Sequence, residues 1–413
     1  MSDLIVKGIS NVEKQIMIHS IMAVGNKYIV CTEKGKSTIT MDEYKNYKMN
    51  PRSSDYMLVN HDETNTKTLI TEYYDQFIKM ADELKHASGG RINLYKTGRL
   101  SNTTLSLLYS FINETNIRPD TIESYENRFL KDCGGAFRLG IKYEGPLYKY
   151  DYISYYTSIY KSKYLLIPIK KGILKTITQT DFDNMKFVEF GVYRCKIDEL
   201  TGDNKKLIWI NKTNYYTHYE LSYILSKGVE IKIIEEPDNF LSYPRDYCKA
   251  ASEIFGDYAK YVFPLKRDKI KGAKLLLNSL WGIICKQNCQ KLIHDDREPD
   301  NFELKKGWTV SNTTVIDDHR VRVYIQNDKV LYENPLARMK PFFLAKCRIT
   351  MAKTIEPYIK DVYYCHTDSI VSSIPLPFKP CKGECGDILY EGYCEDGYVI
   401  NSNQKSPNSH FIE

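Results

Sequence analysis

The sequence predicts an α+β protein in which helices and strands are mixed without regular alternation. Three observations lead there: apolar and aromatic residues recur at helical spacing in separate stretches, strand-like segments rich in Tyr, Val and Ile lie between them, and no strand-helix-strand unit repeats. From the N-terminus, residues 1 to about 60 hold short apolar runs such as KYIVCT between polar turns and read as strands. From Thr68 to Leu84, the residues Leu69, Ile70, Tyr73, Tyr74, Phe77, Ile78, Ala81 and Leu84 recur at three and four, the mark of an amphipathic helix. A second helix is expected over Ser101–Asn113. GPLYKYDYISYY and KFVEFGVYRCKI have the aromatic and β-branched content of strands. After the turn-rich NKTNYYTH comes a helix over Tyr219–Ser226, then a long helical stretch from about Ala250 to Cys285 with Pro264 as its expected break. HRVRVYIQNDKVLY reads as a hairpin around Asn327-Asp328. Helix returns over Arg338–Ile359, followed by a strand at DVYYC and a turn at His366–Asp368.

Composition excludes several classes. With 413 residues, 42% apolar and 27% charged, the chain is long enough for two or three globular domains and is not a disordered or small binding module. No run approaches the length of a membrane span and MSDLIVKGISNVEK lacks a secretory apolar block, so a soluble, intracellular protein with no membrane partner is expected. The 11 cysteines are scattered and odd in number; neither Cys285/Cys289 nor Cys381/Cys385 with Cys394 forms the paired clusters of a zinc site. The 34 tyrosines are as compatible with AT-rich coding as with a function. Net charge is only +6, yet Tyr258–Lys286 holds seven Lys or Arg against the single acid Asp268. Phosphate is expected there.

Two acids stand at the ends of strand-like segments, Asp151 after GPLYKY and Asp368 after VYYCHT. Phosphoryl transfer needs metal-binding carboxylates held on rigid strands, together with cations for a triphosphate. At 100° per residue, Arg267, Lys271, Lys274 and Asn278 fall within roughly 40° of one line, which on a continuous helix puts three cations and an amide on one face. That stripe leads into Ser279 and Gly282, where a small residue admits a base pair.

The segment Asp151-Tyr152-Ile153-Ser154-Tyr155-Tyr156-Thr157-Ser158 resembles the DxxSLYPS motif of family B DNA polymerases. Lys274-Leu275-Leu276-Leu277-Asn278-Ser279-Leu280-Trp281-Gly282 resembles their KxxxNSxYG motif, and Tyr364-Cys365-His366-Thr367-Asp368-Ser369 their YxDTDS motif. All three stand in the family's order, and the compact spacing resembles the protein-primed branch of viruses, plasmids and mobile elements. Asp132-Cys133-Gly134-Gly135 resembles the YxGG loop, Ala337-Arg338-Met339-Lys340-Pro341 with Arg348 the cationic palm residues, and Tyr216–Leu221 the palm insert.

The resemblance implies a right-hand polymerase fold: an N-terminal exonuclease remnant over 1–95, palm over 96–245, fingers over 246–290, palm again over 291–375 with an insertion, and a minimal thumb over 376–413. It implies DNA template and primer, dNTPs, and a terminal protein or second polymerase chain as partners. Two Mg2+ ions, replaceable by Mn2+, would be held by Asp151, Asp368 and the Tyr152 carbonyl. Nucleotide contacts would come from Ser154, Tyr155, Tyr156, Arg267, Lys271, Lys274 and Asn278, with Lys274 also catalytic and Tyr156 rejecting ribose. DNA contacts would come from Gly134, Gly135, Ser279, Gly282, Arg338, Lys340, Thr367 and Ser369. The chain departs from the pattern at His366, where the family has an acid, and at Thr157 and Trp281. His61-Asp62-Glu63-Thr64 faintly resembles one exonuclease motif, and no first or second one is found, so proofreading is not expected. The competing expectation is a weak or inactive polymerase-fold subunit that binds nucleic acid.

Overall fold

The computed structural model describes residues 18–24, 27–32, 35–40, 57–58, 78–97, 100–295, 307–316 and 319–405. The chain divides into two compact units: Met1–Thr115, Lys260–Ile283 and Gln287–Asp328 form one, and Asn116–Ala259, Ile284–Lys286 and Lys329–Glu413 the other.

In the first unit, the strands Ile18–Val24, Lys27–Thr32 and Gly35–Thr40 form an antiparallel meander, with Met57–Leu58 added in parallel beside the first. A helix at 78–87 carries the second half of the periodic stretch predicted from Thr68; its first half and His61–Thr64 lie outside the described residues. The helix Leu100–Ile112 buries Leu100, Thr103, Thr104, Leu107, Leu108 and Ile112, the three-and-four spacing that announced it.

The long helical stretch differs from expectation in where it breaks. Ala251–Arg267 is helical straight through Pro264, and a second helix covers Ala273–Ile284. The stop is a Schellman cap: Lys269 is left-handed at φ 58°, its N–H donates to the Lys266 carbonyl at 3.0 Å, and the Ile270 N–H donates to the Leu265 carbonyl at 2.9 Å. Gly272 (φ 83°) then turns the chain where a Cβ would lie 2.6 Å from Met80 Cγ, so only glycine fits. The hairpin expected at Asn327-Asp328 is likewise corrected. His319–Tyr332 is one continuous strand, and the reversal falls between Ile316 and His319. Without glycine, Asn327-Asp328 lacks the residue that a two-residue turn favours, and the alternating segment stays extended.

The second unit is built on a six-stranded antiparallel sheet, in the order Gln404–Lys405, Ile388–Asn401, Tyr143–Tyr152, Ser369–Ser372, Val362–His366, Arg138–Gly140. Register shifts between Tyr390 and Gly392 and between Cys394 and Gly397 mark bulges in the strand Ile388–Asn401, and bulges increase twist and bend. That strand's far end meets Gly140 so closely that a Cβ there would sit 2.0 Å from the Ser402 nitrogen. A five-stranded sheet of Ile173–Lys175, Gly191–Ile197, Tyr215–Thr217, Ile231–Ile233 and Phe240–Ser242, and a two-stranded one of Leu166–Pro168 with Cys248–Ala250, belong to the same unit, as does the helix His218–Ser226. The helix Met339–Ile355 buries Met339 and the unbroken run Pro341–Ala345, a pattern that requires partners on more than one side. Among the described residues no helix is long and apolar enough to cross a membrane.

Candidate active site

Asp151 is the penultimate residue of its strand, paired with Ser369 on one side and Leu389 on the other. Asp368 lies in the two-residue turn of the hairpin Val362–Ser372, closed by the pairing of His366 with Ser369. The Tyr152 N–H donates to the Asp368 carbonyl at 3.0 Å. Acids 217 residues apart (368 − 151) therefore come to the same end of the sheet, Asp151 on a strand opposite Ser369 and Asp368 in the turn that precedes Ser369.

The turn is strained. Thr367, a β-branched residue, sits at φ 60°, and the Asp368 N–H donates to the His366 carbonyl at 2.8 Å across it, the pattern of a γ-turn. The Thr367 N–H is held by the Phe137 carbonyl at 3.1 Å, and its Oγ1 lies 3.3 Å from His366 Nδ1. Such a conformation costs about 1–3 kcal/mol and persists where surrounding bonds impose it. The Ser369 hydroxyl, opposite Asp151, is buried without a hydrogen-bond partner.

Among the described residues no three His, Cys, Asp or Glu side chains gather into a metal cage. The carboxylates of Asp151 and Asp368 and the backbone carbonyls beside them would offer hard-oxygen donors. Such donors suit Mg2+, which takes one or two carboxylates and fills its shell with water and phosphate oxygens.

Ser154 is left-handed (φ 49°, ψ 54°) and starts the helix Tyr155–Tyr160. That helix docks by ring contacts: Tyr152 tilted on Tyr155 at 4.6 Å, Tyr156 edge-on to Phe343 at 5.2 Å, Tyr160 tilted on Phe343 at 4.9 Å. Tyr155 is 2% exposed and its hydroxyl donates to the Cys347 carbonyl at 2.6 Å, so the expected nucleotide contact is corrected to a core bond. Tyr156 is half-buried. Burial first, then Cys347 and the Asp368 carboxylate, raise its hydroxyl pKa, which puts Asp368 within electrostatic reach of that phenol.

The glycine pair is held from inside the unit. Gly134 (φ 78°) lies against Trp209, where a Cβ would come within 1.8 Å of the ring, whereas Gly135 faces open space. Arg348, 3% exposed, pairs with Glu220 at 2.6 Å, donates to the Cys133 carbonyl at 3.3 Å and to the Gly135 carbonyl, and lies 4.4 Å from the Trp209 ring. Glu220 also closes a capping box with Thr217. Arg338 is corrected as a DNA contact: it is fully buried, bidentate to Glu126 and bonded to the Asp120 and Thr121 carbonyls. Lys340 is half-buried, with Nζ 3.0 Å from the Tyr332 hydroxyl.

In the first unit the four-residue stripe is corrected, because Arg267 ends one helix, Lys271 lies in the break, and only Lys274 and Asn278 share the next helix. Lys274, Asn278 and Gly282 remain exposed at four-residue spacing, opposite buried Leu276, Leu277 and Leu280. Arg267 lies 3.7 Å from Asp268. The Lys271 N–H donates to Glu83, and its ammonium pKa is lowered, chiefly by Lys79 beside it. Ser279 turns inward, with its hydroxyl 2.8 Å from that of Thr104. The sequence reading missed Trp209, which has no local signal, and the Thr217–Glu220 box, which the spacing T-x-x-E does announce.

No protein-family model matches the sequence, and no curated protein matches it. Solved structures do. Phi29 DNA polymerase complexed with primer-template DNA, in a post-translocation binary complex, aligns at a TM-score of 0.58 and 15% identity, covering 100% of this chain and 76% of that one. The ternary complex with incoming nucleotide aligns at 0.56 and 15% identity over 98% and 74%, and the single-stranded DNA complex at 0.55 and 15% over 92% and 70%. The chain has a DNA-polymerase-like fold.

Proposed function

We propose that this chain is a template-directed DNA polymerase of the family B type, transferring nucleotides from dNTPs to a primer 3′ hydroxyl or a protein hydroxyl. The observation that carries the reading is the bond from the Tyr152 N–H to the Asp368 carbonyl, which joins the strand end that holds Asp151 to the turn that holds Asp368. Asp151, Asp368 and the Tyr152 carbonyl would hold two Mg2+ ions, which, when bound, activate the attacking hydroxyl and stabilise charge on the leaving pyrophosphate. Tyr156 would stand under the sugar and exclude a 2′ hydroxyl by bulk. On the first unit, Lys274 and Asn278 are the proposed triphosphate contacts. DNA as partner is supported by the complexes in which the Phi29 enzyme was solved.

Primer extension with labelled dNTP and Mg2+ or Mn2+ tests this, beside Asp151→Asn and Asp368→Asn. Each is expected to lower incorporation by at least 100-fold while DNA affinity is kept; incorporation by both variants at the parental rate would sink the assignment. A second reading, a weak or inactive DNA-binding subunit, is favoured by His366, which stands where the resemblance calls for an acid. Absence of incorporation by the parental chain, with DNA binding retained, would select it.

A further inference from the structure

Within the second unit, a cleft of about 530 Å³ opens at Phe137 and Arg138, the residues beside the Thr367-Asp368 turn. Its floor includes Phe137, Ile208, Trp209 and Ile210; Arg138 and Lys205 are exposed at its rim. Three features point to an occupant. The charge is favourable for an anion: Arg138, Lys205 and Lys206 stand against Asp198 and Glu199, and Asp198 is already paired with Lys232 at 2.7 Å. The floor is largely apolar and carries an indole, which lines this cleft and also the smaller one that contains Arg348, so the ring forms a wall between them. Two of its lining residues are also tied to the turn, because the Phe137 carbonyl accepts the Thr367 N–H and Arg138 pairs with His366 across the ladder.

We propose that this cleft binds a single-stranded segment of nucleic acid, with a base against Trp209 and phosphates at Arg138 and Lys205. A duplex hides its base faces and would leave the apolar floor uncovered, whereas an unpaired strand offers both faces and phosphates, the chemistry of an aromatic platform flanked by cations. The proposal rests on the nucleic-acid partner of the polymerase reading but not on nucleotide transfer.

The test uses the full chain in EDTA with fluorescein-labelled dT12, read by anisotropy from 50 to 300 mM salt, beside a 12-bp duplex. Arg138→Ala/Lys205→Ala is expected to weaken dT12 binding about tenfold and to flatten the slope of log K against log salt by about 1.4, two phosphates at roughly 0.7 each, with duplex affinity changed less. Unchanged dT12 affinity in a variant that keeps its melting temperature overturns the proposal, as does an equal or larger loss for the duplex. If the double variant does not fold, Lys205→Glu at an exposed position replaces it, with a several-fold loss expected and no loss overturning. Because EDTA removes catalysis, this outcome is independent of primer extension: absence of incorporation by the parental chain ends the polymerase reading and leaves the dT12 result standing.

Discussion

Replacing Arg348 by Met tests the brace beneath the glycine loop. Arg348 and Glu220 are 3% and 8% exposed as side chains, so removing one partner strands the other as a buried charge, at a cost of about 3–5 kcal/mol. For a unit of this size each kcal/mol moves the melting temperature by about 2–4 °C, which gives a fall of about 6–20 °C. Glu220→Gln can keep the cap on Thr217 through its one amide oxygen, which turns the amide NH2 toward the guanidinium, so its loss comes from a guanidinium stripped of both countercharge and acceptor. The double variant Arg348→Met/Glu220→Gln buries no charge and loses only the donors to the Cys133 and Gly135 carbonyls, about 1–3 kcal/mol each. It is therefore expected to melt above the sum of the single losses, with a coupling of up to about 3 kcal/mol. Calorimetry of the four proteins measures it. Additive losses, or a single-variant loss below about 1 kcal/mol, would show that the pair does not act as a buried unit.

Gly134→Ala should cost more than about 3 kcal/mol, from a left-handed backbone and the collision with Trp209, while Gly135→Ala should cost less than about 1 kcal/mol; thermal melts of the two compare them. Burial pushes the His218 imidazole down to about 3, so it folds neutral, with Nδ1 accepting the Gly191 N–H. Its folded pKa lies below the unfolded value near 6.5; the stability it contributes is present above that value and is lost as pH falls toward 3, at about 1.4 kcal/mol per pH unit. Urea titrations of the parent and His218→Asn at pH 7.5 and 5 should show a smaller acid loss in the variant, and equal losses would remove His218 as the cause. Thr367→Gly should raise stability by about 1 kcal/mol through relief of the positive φ, and a lowered melting temperature would mean that its bond to His366 outweighs that strain.

Local pattern carried much of this molecule. The helices near 101–113 and 219–226 follow from local pattern, and the strands expected at GPLYKYDYISYY and DVYYC fall at Tyr143–Tyr152 and Val362–His366, with Tyr155 and Tyr156 helical instead; the nearness of Asp151 to the Asp368 turn was implied by the resemblance alone. Arg338 was misread because its partner Glu126 is 212 residues away, and burial of an ion pair leaves no mark on neighbouring positions. Tyr155 and Ser279 share motifs with exposed residues but point inward, a matter of tertiary packing. The cationic stripe failed because a lysine, rather than a glycine or proline, takes the left-handed position that ends the helix.

The central place of the strand Tyr143–Tyr152 has a consequence for biosynthesis. Its neighbours on both sides, Ser369–Ser372 and Ile388–Asn401, are translated long after it. At about 5–20 residues per second, Asp151 emerges some 10–45 s before Asp368. Through that interval the nascent strand has two unsatisfied edges, and a chaperone or a stalled ribosome would meet a sheet whose central strand is still waiting for both partners.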